Sequence, residues 1–255
     1  MNILSAICVV GALGLITSAV QASIVTKKVE YKQGDAILEG YLAYDDSKSG
    51  LRPGVMIVHD WNGLDGYEES RARQLAELGY IAFSVDIYGK GIRPSNNQES
   101  GAQAGKYRGD IPLFRARLQA GLDELKKQKD VDPKKVAAIG YCFGGGGVLE
   151  LARSGADVAG VVSFHGSYPT PLPAKPGDIR GKVMVVHAAQ DPSTSREVFD
   201  KFLDEMRDAK VDYQIVLYNL NVHPFTVVGG PSYDADADRR SWAAMLAFFH
   251  EIFGR

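Results

Sequence analysis

The sequence predicts an α/β fold: a doubly wound, mostly parallel β-sheet with an antiparallel hairpin at its N-terminal end. Short apolar runs typical of buried strands alternate along the chain with segments of helical length, and this alternation favours a parallel sheet covered by helices. The segments 24–31 and 36–44 instead alternate polar and apolar residues on either side of Gln33-Gly34-Asp35. This pattern is typical of two strands joined by a turn.

The remaining elements follow in chain order from the same patterns. Apolar runs predict strands near 54–59, 80–85, 135–140, 158–164, 182–189 and 213–218. Helix-favouring segments predict helices near 67–78, 112–128, 148–153, 194–209 and 236–253. Asp110 can cap the helix that Pro112 begins, because Asp accepts from free N–H groups at a helix start and Pro is tolerated there.

The segment from Asp86 to about Asp110 is rich in glycine and polar residues and predicts a long loop. Loops of this length are uncommon unless they are functional or mobile. We therefore place it at the rim of a substrate site, with Tyr88, Lys90 and Arg93 as possible substrate contacts. For each of these three residues, an ordinary place on a solvated loop explains the sequence equally well.

Residues 1–22 are expected to be a cleaved secretory signal, and residues 23–255 a single domain. The first 22 residues contain no Lys, Arg, Asp or Glu, and the apolar run from Ile3 to Ile16 is shorter than the about 18 residues typical of a membrane span. Val20-Gln21-Ala22 offers small residues before a cleavage site. Because no Lys or Arg precedes the apolar run, an uncleaved anchor is the alternative. Cleavage predicts an exported protein, periplasmic or secreted.

A candidate nucleophile lies in Gly140-Tyr141-Cys142-Phe143-Gly144-Gly145, which follows a predicted buried strand and precedes a predicted helix. Glycines on both sides of Cys142 permit a turn so sharp that strand and helix approach closely. The helix start, with its free N–H groups, also favours a thiolate. The alternative is a structural thiol, since a free Cys often packs as a small hydrophobe.

Two further residues complete a candidate catalytic triad. Asp191 follows the predicted strand 182–189, and His223 follows the predicted strand 213–218. In open α/β sheets, catalytic groups gather where strands end, and here the order is nucleophile, acid, histidine. Asp191 has the alternative of a helix cap. For the histidine, His165 also follows a predicted strand and is the main rival of His223.

These motifs resemble those of the dienelactone hydrolase family. The resemblance extends from about residue 27 to the end of the chain, and its motifs are the Gly-Tyr-Cys-Phe-Gly-Gly turn, Ser163-Phe164-His165-Gly166, Gln190-Asp191-Pro192, His223-Pro224-Phe225 and the terminal segment 239–245. It implies an α/β-hydrolase fold with a Cys-Asp-His triad that acts on esters or lactones. By the same mapping, the backbone N–H groups of Trp61 and Phe143 would form the oxyanion hole.

The sequence departs from the family pattern at two positions. Family members commonly carry a Glu that contacts the resting thiol, and Asp60, which is one methylene shorter, stands at that place. Asp60 is therefore a possible thiol-activating residue, with a turn residue as the alternative. The family also places an Arg just after the catalytic histidine, whereas this chain has Phe225-Thr226-Val227. Dienelactone is thus expected to be a poor substrate, with any anion bound by Lys90 or Arg93.

Composition limits the other classes of function. The formal net charge of -2 and the absence of basic clusters argue against nucleic acid and anionic membranes as partners of the processed protein. The sequence has no Cys and His residues at metal-ligand spacing and no Gly-x-Gly-x-x-Gly after a strand, so no metal or other cofactor is expected. The expected partner is a small ester or lactone. A non-hydrolytic protein, with Cys142 in a redox or binding role, is the alternative.

Overall fold

One eight-stranded β-sheet with six helices on its two faces forms residues 23–254, the part of the chain that the computed structural model describes. The strands are β1 (Ile24–Gln33), β2 (Ala36–Asp45), β3 (Arg52–Val58), β4 (Ile81–Val85), β5 (Val131–Tyr141), β6 (Gly160–Phe164), β7 (Lys182–Ala188) and β8 (Tyr213–Tyr218). The helices are α1 (Gly66–Glu77), α2 (Asn97–Gly109), α3 (Ile111–Lys127), α4 (Phe143–Arg153), α5 (Arg196–Asp208) and α6 (Ala235–Phe253). The predicted signal segment lies outside the described residues.

The sheet confirms the predicted fold class. Its strand order is β1-β2-β4-β3-β5-β6-β7-β8. The pairs β1–β2 and β2–β4 are antiparallel, and every other neighbouring pair is parallel. The N-terminal hairpin therefore extends a parallel sheet at one edge. None of the helices within residues 23–254 is long and apolar enough to cross a membrane.

Side chains that alternate along each central strand build an apolar layer on each face of the sheet. On β5, Val136 and Ala138 pack into one layer, whereas Ala137 and Ile139 pack into the other. The first layer is covered by α2 to α5 and the second by α1 and α6. Because neighbouring strand residues point to opposite faces, both faces of the sheet are buried under helices. A site that is open to substrate must therefore lie at the ends of the strands.

Helix α2 corrects the prediction of a long loop, which was wrong for residues 97–109. Asn96 caps the helix by accepting from the N–H of Glu99. Three side chains at helical spacing, Ser100, Ala104 and Tyr107, are buried. The three glycines at 101, 105 and 109 and the short apolar face weakened the sequence signal. The cap predicted for the next helix is confirmed, since Asp110 accepts from the N–H of Leu113 at 3.0 Å.

The turn between β5 and α4 depends on backbone contacts that only glycine permits. A Cβ atom added to Gly140 would lie 2.0 Å from the carbonyl oxygen of Gly144. One added to Gly144 would lie 2.2 Å from the carbonyl oxygen of Val58 on β3. Both neighbours are backbone atoms, which cannot rotate away. The glycines thus allow α4 to begin against the ends of two strands.

We expect Gly144→Ala to destabilise the protein by at least about 2 kcal/mol, because α4 must move away from β3 to admit the methyl group. Urea unfolding followed by circular dichroism measures the change. Gly101→Ala is the matched control, since Gly101 lies in α2 with open space around it, and its replacement should stabilise by about 0.5–1 kcal/mol. Equal effects of the two substitutions would contradict the close approach.

Candidate active site

Cys142 lies at the turn between β5 and α4 in a strained backbone conformation. Its φ and ψ are 52° and -108°, a region that non-glycine residues rarely adopt. The N–H of Cys142 donates to the carbonyl oxygen of Phe164 at 3.0 Å, and the carbonyl oxygen of Cys142 accepts from the N–H of Gly146 at 3.2 Å. These bonds hold the turn so that the side chain of Cys142 faces a cavity.

The structure brings Cys142, His223 and Asp191 into one hydrogen-bonded chain. His223 Nε2 lies 3.1 Å from Cys142 Sγ, and His223 Nδ1 lies 2.8 Å from Asp191 Oδ2. Asp191 does not cap α5, because the side chain of Ser195 accepts the helix bond there. Its second carboxylate oxygen instead accepts from Ser193 Oγ at 2.6 Å. Asp191 therefore caps the turn after β7, where its Oδ1 also accepts from the N–H of Ser193 at 2.8 Å, but it does not cap α5. A thiol, an imidazole and a carboxylate linked in this order are suited to nucleophilic catalysis.

Hydrogen bonding among Cys142, His223 and Asp191 shifts the pKa values of the histidine and the acid. Burial acts to lower the pKa of His223, but its hydrogen bonds to Asp191 and Cys142 outweigh burial and raise it to about 10. Burial acts to raise the pKa of Asp191, but the hydrogen bonds from His223 and Ser193 hold it below its ordinary value. The pairing therefore favours a charged imidazolium between a carboxylate and the sulfur.

Two backbone N–H groups beside Cys142 match the predicted oxyanion hole. Phe143 is the first residue of α4, where N–H groups have no partner inside the helix. Trp61 lies in the turn after β3 and lines the same cavity as Cys142. Among the bonds of residues 23–254, neither N–H donates to a protein acceptor. Both donors are thus free to bind a developing oxyanion.

A cavity of 410 Å³ opens onto the sulfur. Its walls come from five loops and from the end of α2. They are formed by Asp60, Trp61, Arg108, Cys142, His165, Ser167, Ser193, Thr194, His223 and Pro224. Arg108 was missed by the sequence analysis, because it belongs to the helix that was predicted as a loop. Within residues 23–254, no group of three or more His, Cys, Asp or Glu side chains is placed to hold a metal ion.

The three loop residues predicted to contact substrate do not line this cavity. Tyr88 is buried, and its hydroxyl donates to the carbonyl oxygen of Trp61 at 2.9 Å. Lys90 pairs with Glu30 on the N-terminal hairpin. Arg93 donates to the carbonyl oxygen of Ile92 at 2.8 Å. Tyr88 thus packs against the Trp61 turn on the side away from the cavity. Lys90 and Arg93 do not line the cavity, and its wall contains Arg108 instead.

Asp60 lines the cavity, but its carboxylate bonds to Asn62 rather than to Cys142. Asp60 Oδ1 accepts from the N–H of Asn62 at 2.6 Å, and Oδ2 accepts from its Nδ2 at 3.3 Å. These bonds fit the alternative of a turn residue. Burial nevertheless raises the pKa of Asp60 to about 6, although the hydrogen bonds from Asn62 oppose that rise. The Asp60 carboxyl therefore titrates close to neutral pH.

This raised pKa predicts a pH-dependent gain in stability for Asp60→Asn. In wild type, the raised pKa of Asp60 makes a contribution to the free energy of unfolding that is fully present below pH 3.8, the ordinary pKa. This contribution is lost as the pH rises through about 6. Asn cannot ionise, so the variant should be more stable than wild type at pH 8, by up to about 3 kcal/mol. Unfolding free energies measured from pH 4 to pH 8 test this. A constant difference across that range would show that Asp60 does not titrate there.

His165, the rival of His223, has a different position. Its ring is buried, with Nδ1 at 3.2 Å from the backbone nitrogen of Cys142 and Nε2 at 2.8 Å from Thr226 Oγ1. The imidazole atoms of His165 are thus engaged with the backbone of the turn and with another loop. His223, not His165, contacts the sulfur.

The sharp turn at Cys142, with Asp191 and His223 at the carboxyl ends of later parallel strands, defines the α/β-hydrolase class of fold and site. This chain belongs to the dienelactone hydrolase family, because the family model described as "Dienelactone hydrolase family" matches residues 38–253.

Solved structures and curated proteins agree with this membership. A dienelactone hydrolase-like promiscuous phosphotriesterase from metagenomic libraries is 38% identical, with a TM-score of 0.83 over 90% of this chain and 98% of that one. An uncharacterised protein of Caenorhabditis elegans is 35% identical over 150 residues, which are 55% of this chain and 94% of the worm protein. A Yersinia pestis protein, provisionally named a carboxymethylenebutenolidase, is 26% identical over 85% of this chain and 84% of its own length.

Proposed function

We propose that this protein hydrolyses a carboxylic ester or lactone, with Cys142 as nucleophile and an acyl-thioester as intermediate. The observation that carries the proposal is the chain from Cys142 Sγ through His223 to Asp191, with distances of 3.1 Å and 2.8 Å. The chain opens onto a cavity that also contains Trp61. Membership of a hydrolase family and the provisional name of the Yersinia pestis relative support this reaction class.

The first half-reaction transfers the acyl group to sulfur. The Cys142 thiolate attacks the carbonyl carbon, and the carbonyl electrons move to the oxygen, which the N–H groups of Trp61 and Phe143 stabilise. The tetrahedral intermediate then expels the alcohol oxygen, which takes the proton from His223 Nε2. A His223 pKa raised to about 10 keeps that proton in place at neutral pH. The products are an alcohol and an acyl-thioester on Cys142.

The second half-reaction restores the enzyme. Neutral His223 removes a proton from water, and the resulting hydroxide attacks the thioester carbonyl. The intermediate collapses with the thiolate as leaving group, which releases the carboxylic acid and again leaves the proton on His223. Asp191 keeps the ring oriented in both halves. A lactone follows the same path, except that acid and alcohol remain in one molecule.

Alkylation of Cys142 tests the proposal without any mutation. Iodoacetamide is added in steps to the wild-type protein, peptide mapping gives the alkylated fraction of Cys142, and p-nitrophenyl acetate turnover is measured at each step. We expect turnover to fall in proportion to that fraction. Full turnover after complete alkylation would refute the nucleophile and favour a redox or binding role for the thiol.

We also propose that the mature protein begins near Ser23 and is exported. The proposal rests on the uncharged, apolar residues 1–22 and on the small residues that end them. Intact-mass measurement of protein purified from its natural source should give the mass of residues 23–255. Retention of the first 22 residues would show that the segment is not removed.

A further inference from the structure

A second cavity of 300 Å³ adjoins the catalytic cavity and shares Arg108 and Ser167 with it. We refer to it as the annex. Its walls come from α2, α3, α4 and the segment after β6. They are formed by Arg108, Ile111, Phe114, Phe143, Gly146, Glu150, Ser167, Pro169, Thr170 and Pro171. Phe143, which lines the annex, directly follows Cys142 in the chain.

The annex is an aromatic and apolar site despite the acid in its wall. The rings of Phe114 and Phe143 stack with centroids 4.7 Å apart. Glu150 is buried, and both of its carboxylate oxygens accept from arginines, Oε2 from Arg115 at 2.9 Å and Oε1 from Arg153 at 2.8 Å. Its charge is therefore compensated inside the protein and offers nothing to a cationic ligand.

Arg108 adds a planar surface at the border between the two cavities. Its guanidinium lies 5.6 Å from the centroid of the Phe143 ring. Arg108 takes part in no ion pair within residues 23–254. A guanidinium that is not held by a carboxylate can stack on an aromatic ligand as it does on Phe143. The border thus favours a flat ring over an alkyl chain.

We propose that the annex binds an aromatic ring carried by the acyl or alcohol part of the ester. This proposal rests on the proposed hydrolase function and names its substrate class, the aryl-bearing esters. A cavity of about 150 Å³ is enough for benzene in a protein core, so the annex has room for a substituted ring. The catalytic cavity would hold the ester group, and the ring would extend past Arg108 and Ser167.

The test compares ethyl phenylacetate and benzyl acetate with ethyl acetate in a pH-stat assay. Wild type should show at least about tenfold higher kcat/KM for one of the aromatic esters. Thr170→Trp, which places an indole inside the annex, should reduce that ratio about tenfold. Pro171→Trp is a second variant with the same purpose. Leu172→Trp is the matched control, because Leu172 is exposed and lines neither cavity, and it should leave the ratio unchanged.

A binding measurement separates failure of the annex from failure of the hydrolase function. Calorimetry with ethyl phenylacetate compares Cys142→Ala with Cys142→Ala/Thr170→Trp, and the second protein should bind about tenfold more weakly. If wild type turns over no ester but this difference is found, only the hydrolase proposal fails. Equal binding by the two proteins, or a wild type without preference for aromatic esters, would overturn the annex proposal.

A separate observation concerns the buried side chain of His165, which bridges two loops of the site. Its Nδ1 is 3.2 Å from the backbone nitrogen of Cys142, and its Nε2 is 2.8 Å from Thr226 Oγ1. Thr226 follows His223 by three residues, and its hydroxyl also accepts from the hydroxyl of Tyr67 at 2.7 Å. The bridge therefore links the nucleophile turn to the loop that carries the catalytic histidine.

The protonation state of His165 is fixed by its partners. A backbone N–H can only donate, so Nδ1 must accept from Cys142 and the ring proton must lie on Nε2. Burial holds the pKa of His165 well below its ordinary value, and the nearby charge of His223 lowers it further. The ring is thus neutral at working pH, with one acceptor and one donor, and both are used.

We infer that His165 is a positioning residue that fixes Cys142 relative to the His223 loop. It acts through the backbone of the nucleophile turn and contacts no reacting atom. The expected effect on kcat rests on the proposed function. The rate at which iodoacetamide alkylates Cys142 reports the position of the sulfur even if the protein turns over no ester. Loss of the bridge should lower kcat more than it changes KM.

Three variants test this bridge. His165→Leu should lower kcat and the alkylation rate of Cys142 by about tenfold, because Thr226 loses a partner and the Cys142 N–H keeps only the carbonyl oxygen of Phe164. His165→Asn should recover most of the loss, since its Oδ1 can replace Nδ1 and Asn tolerates the positive φ of 39° at this position. Thr226→Val should cause a smaller decrease. Full activity and alkylation in His165→Leu, or no recovery in His165→Asn, would overturn the inference.

Discussion

Cys142→Ala is expected to lower kcat/KM for p-nitrophenyl esters by at least about 10³-fold, because no group remains that can form the acyl intermediate. The binding cavity and both oxyanion donors are untouched, so KM should change little. Steady-state kinetics on purified wild type and variant measure the effect. Turnover of the variant within a few-fold of wild type would place the reaction on another residue.

Cys142→Ser is the informative companion to this variant. It keeps a nucleophilic atom of similar position, but the hydroxyl is far less acidic than a thiol and needs a base that is neutral. In this variant the pKa of His223 loses the part of its rise that comes from the Cys142 sulfur, but the hydrogen bond to Asp191 still raises it. We therefore expect Cys142→Ser to be much less active than wild type at pH 7, and to gain activity as the pH rises and His223 becomes neutral.

His223→Ala is expected to cause the second largest loss, about 10³-fold or more in kcat. In the proposed mechanism, His223 delivers the proton to the leaving alcohol and then activates water, so both half-reactions need it. Asp191→Asn should cause a smaller loss and should lower the pKa of His223, because the carboxylate that stabilises the imidazolium is gone. Steady-state kinetics measure the loss of kcat in both variants. The pH profile of Cys142 alkylation in Asp191→Asn measures the change in the pKa of His223.

Ser193→Ala is the control for this pair. Ser193 bonds to Asp191 at 2.6 Å and lies 3.4 Å from His223 Nδ1, but it has no role in proton transfer in the proposed mechanism. Its loss should cost less than about tenfold in kcat, the effect of one orienting hydrogen bond. If His223→Ala retained as much activity as Ser193→Ala, His223 would not be the catalytic base.

The predictable parts of this molecule were those specified by local pattern and chain order. Apolar runs that alternate with helix-favouring segments predicted the parallel sheet, and the alternation of polar and apolar residues in 24–31 and 36–44 predicted the hairpin. The glycines around Cys142 predicted the sharp turn, since no other residue allows the approach measured at Gly140 and Gly144. The positions of Asp191 and His223 near Cys142 followed from their places after predicted parallel strands, whose carboxyl ends meet at one edge of a sheet.

The parts that escaped prediction depend on contacts between distant segments. Arg108 reaches the cavity only because residues 97–109 form a helix, and the glycines of that helix hid its pattern. Lys90 was expected near substrate, but it pairs with Glu30 on the N-terminal hairpin, a contact over 60 positions of sequence. The bridge from His165 to Thr226 likewise joins two loops that no local pattern relates.

The central claim, an acyl-thioester on Cys142, is tested most directly by mass spectrometry during a single turnover. Wild-type protein in excess over p-nitrophenyl acetate is quenched in acid at millisecond intervals, digested and mapped. We predict that the peptide containing Cys142 gains the mass of one acetyl group before acetate is released, and that the group is lost as turnover ends. Release of acetate without an acyl group on Cys142 at any interval, or an acyl group on another residue, would contradict the account.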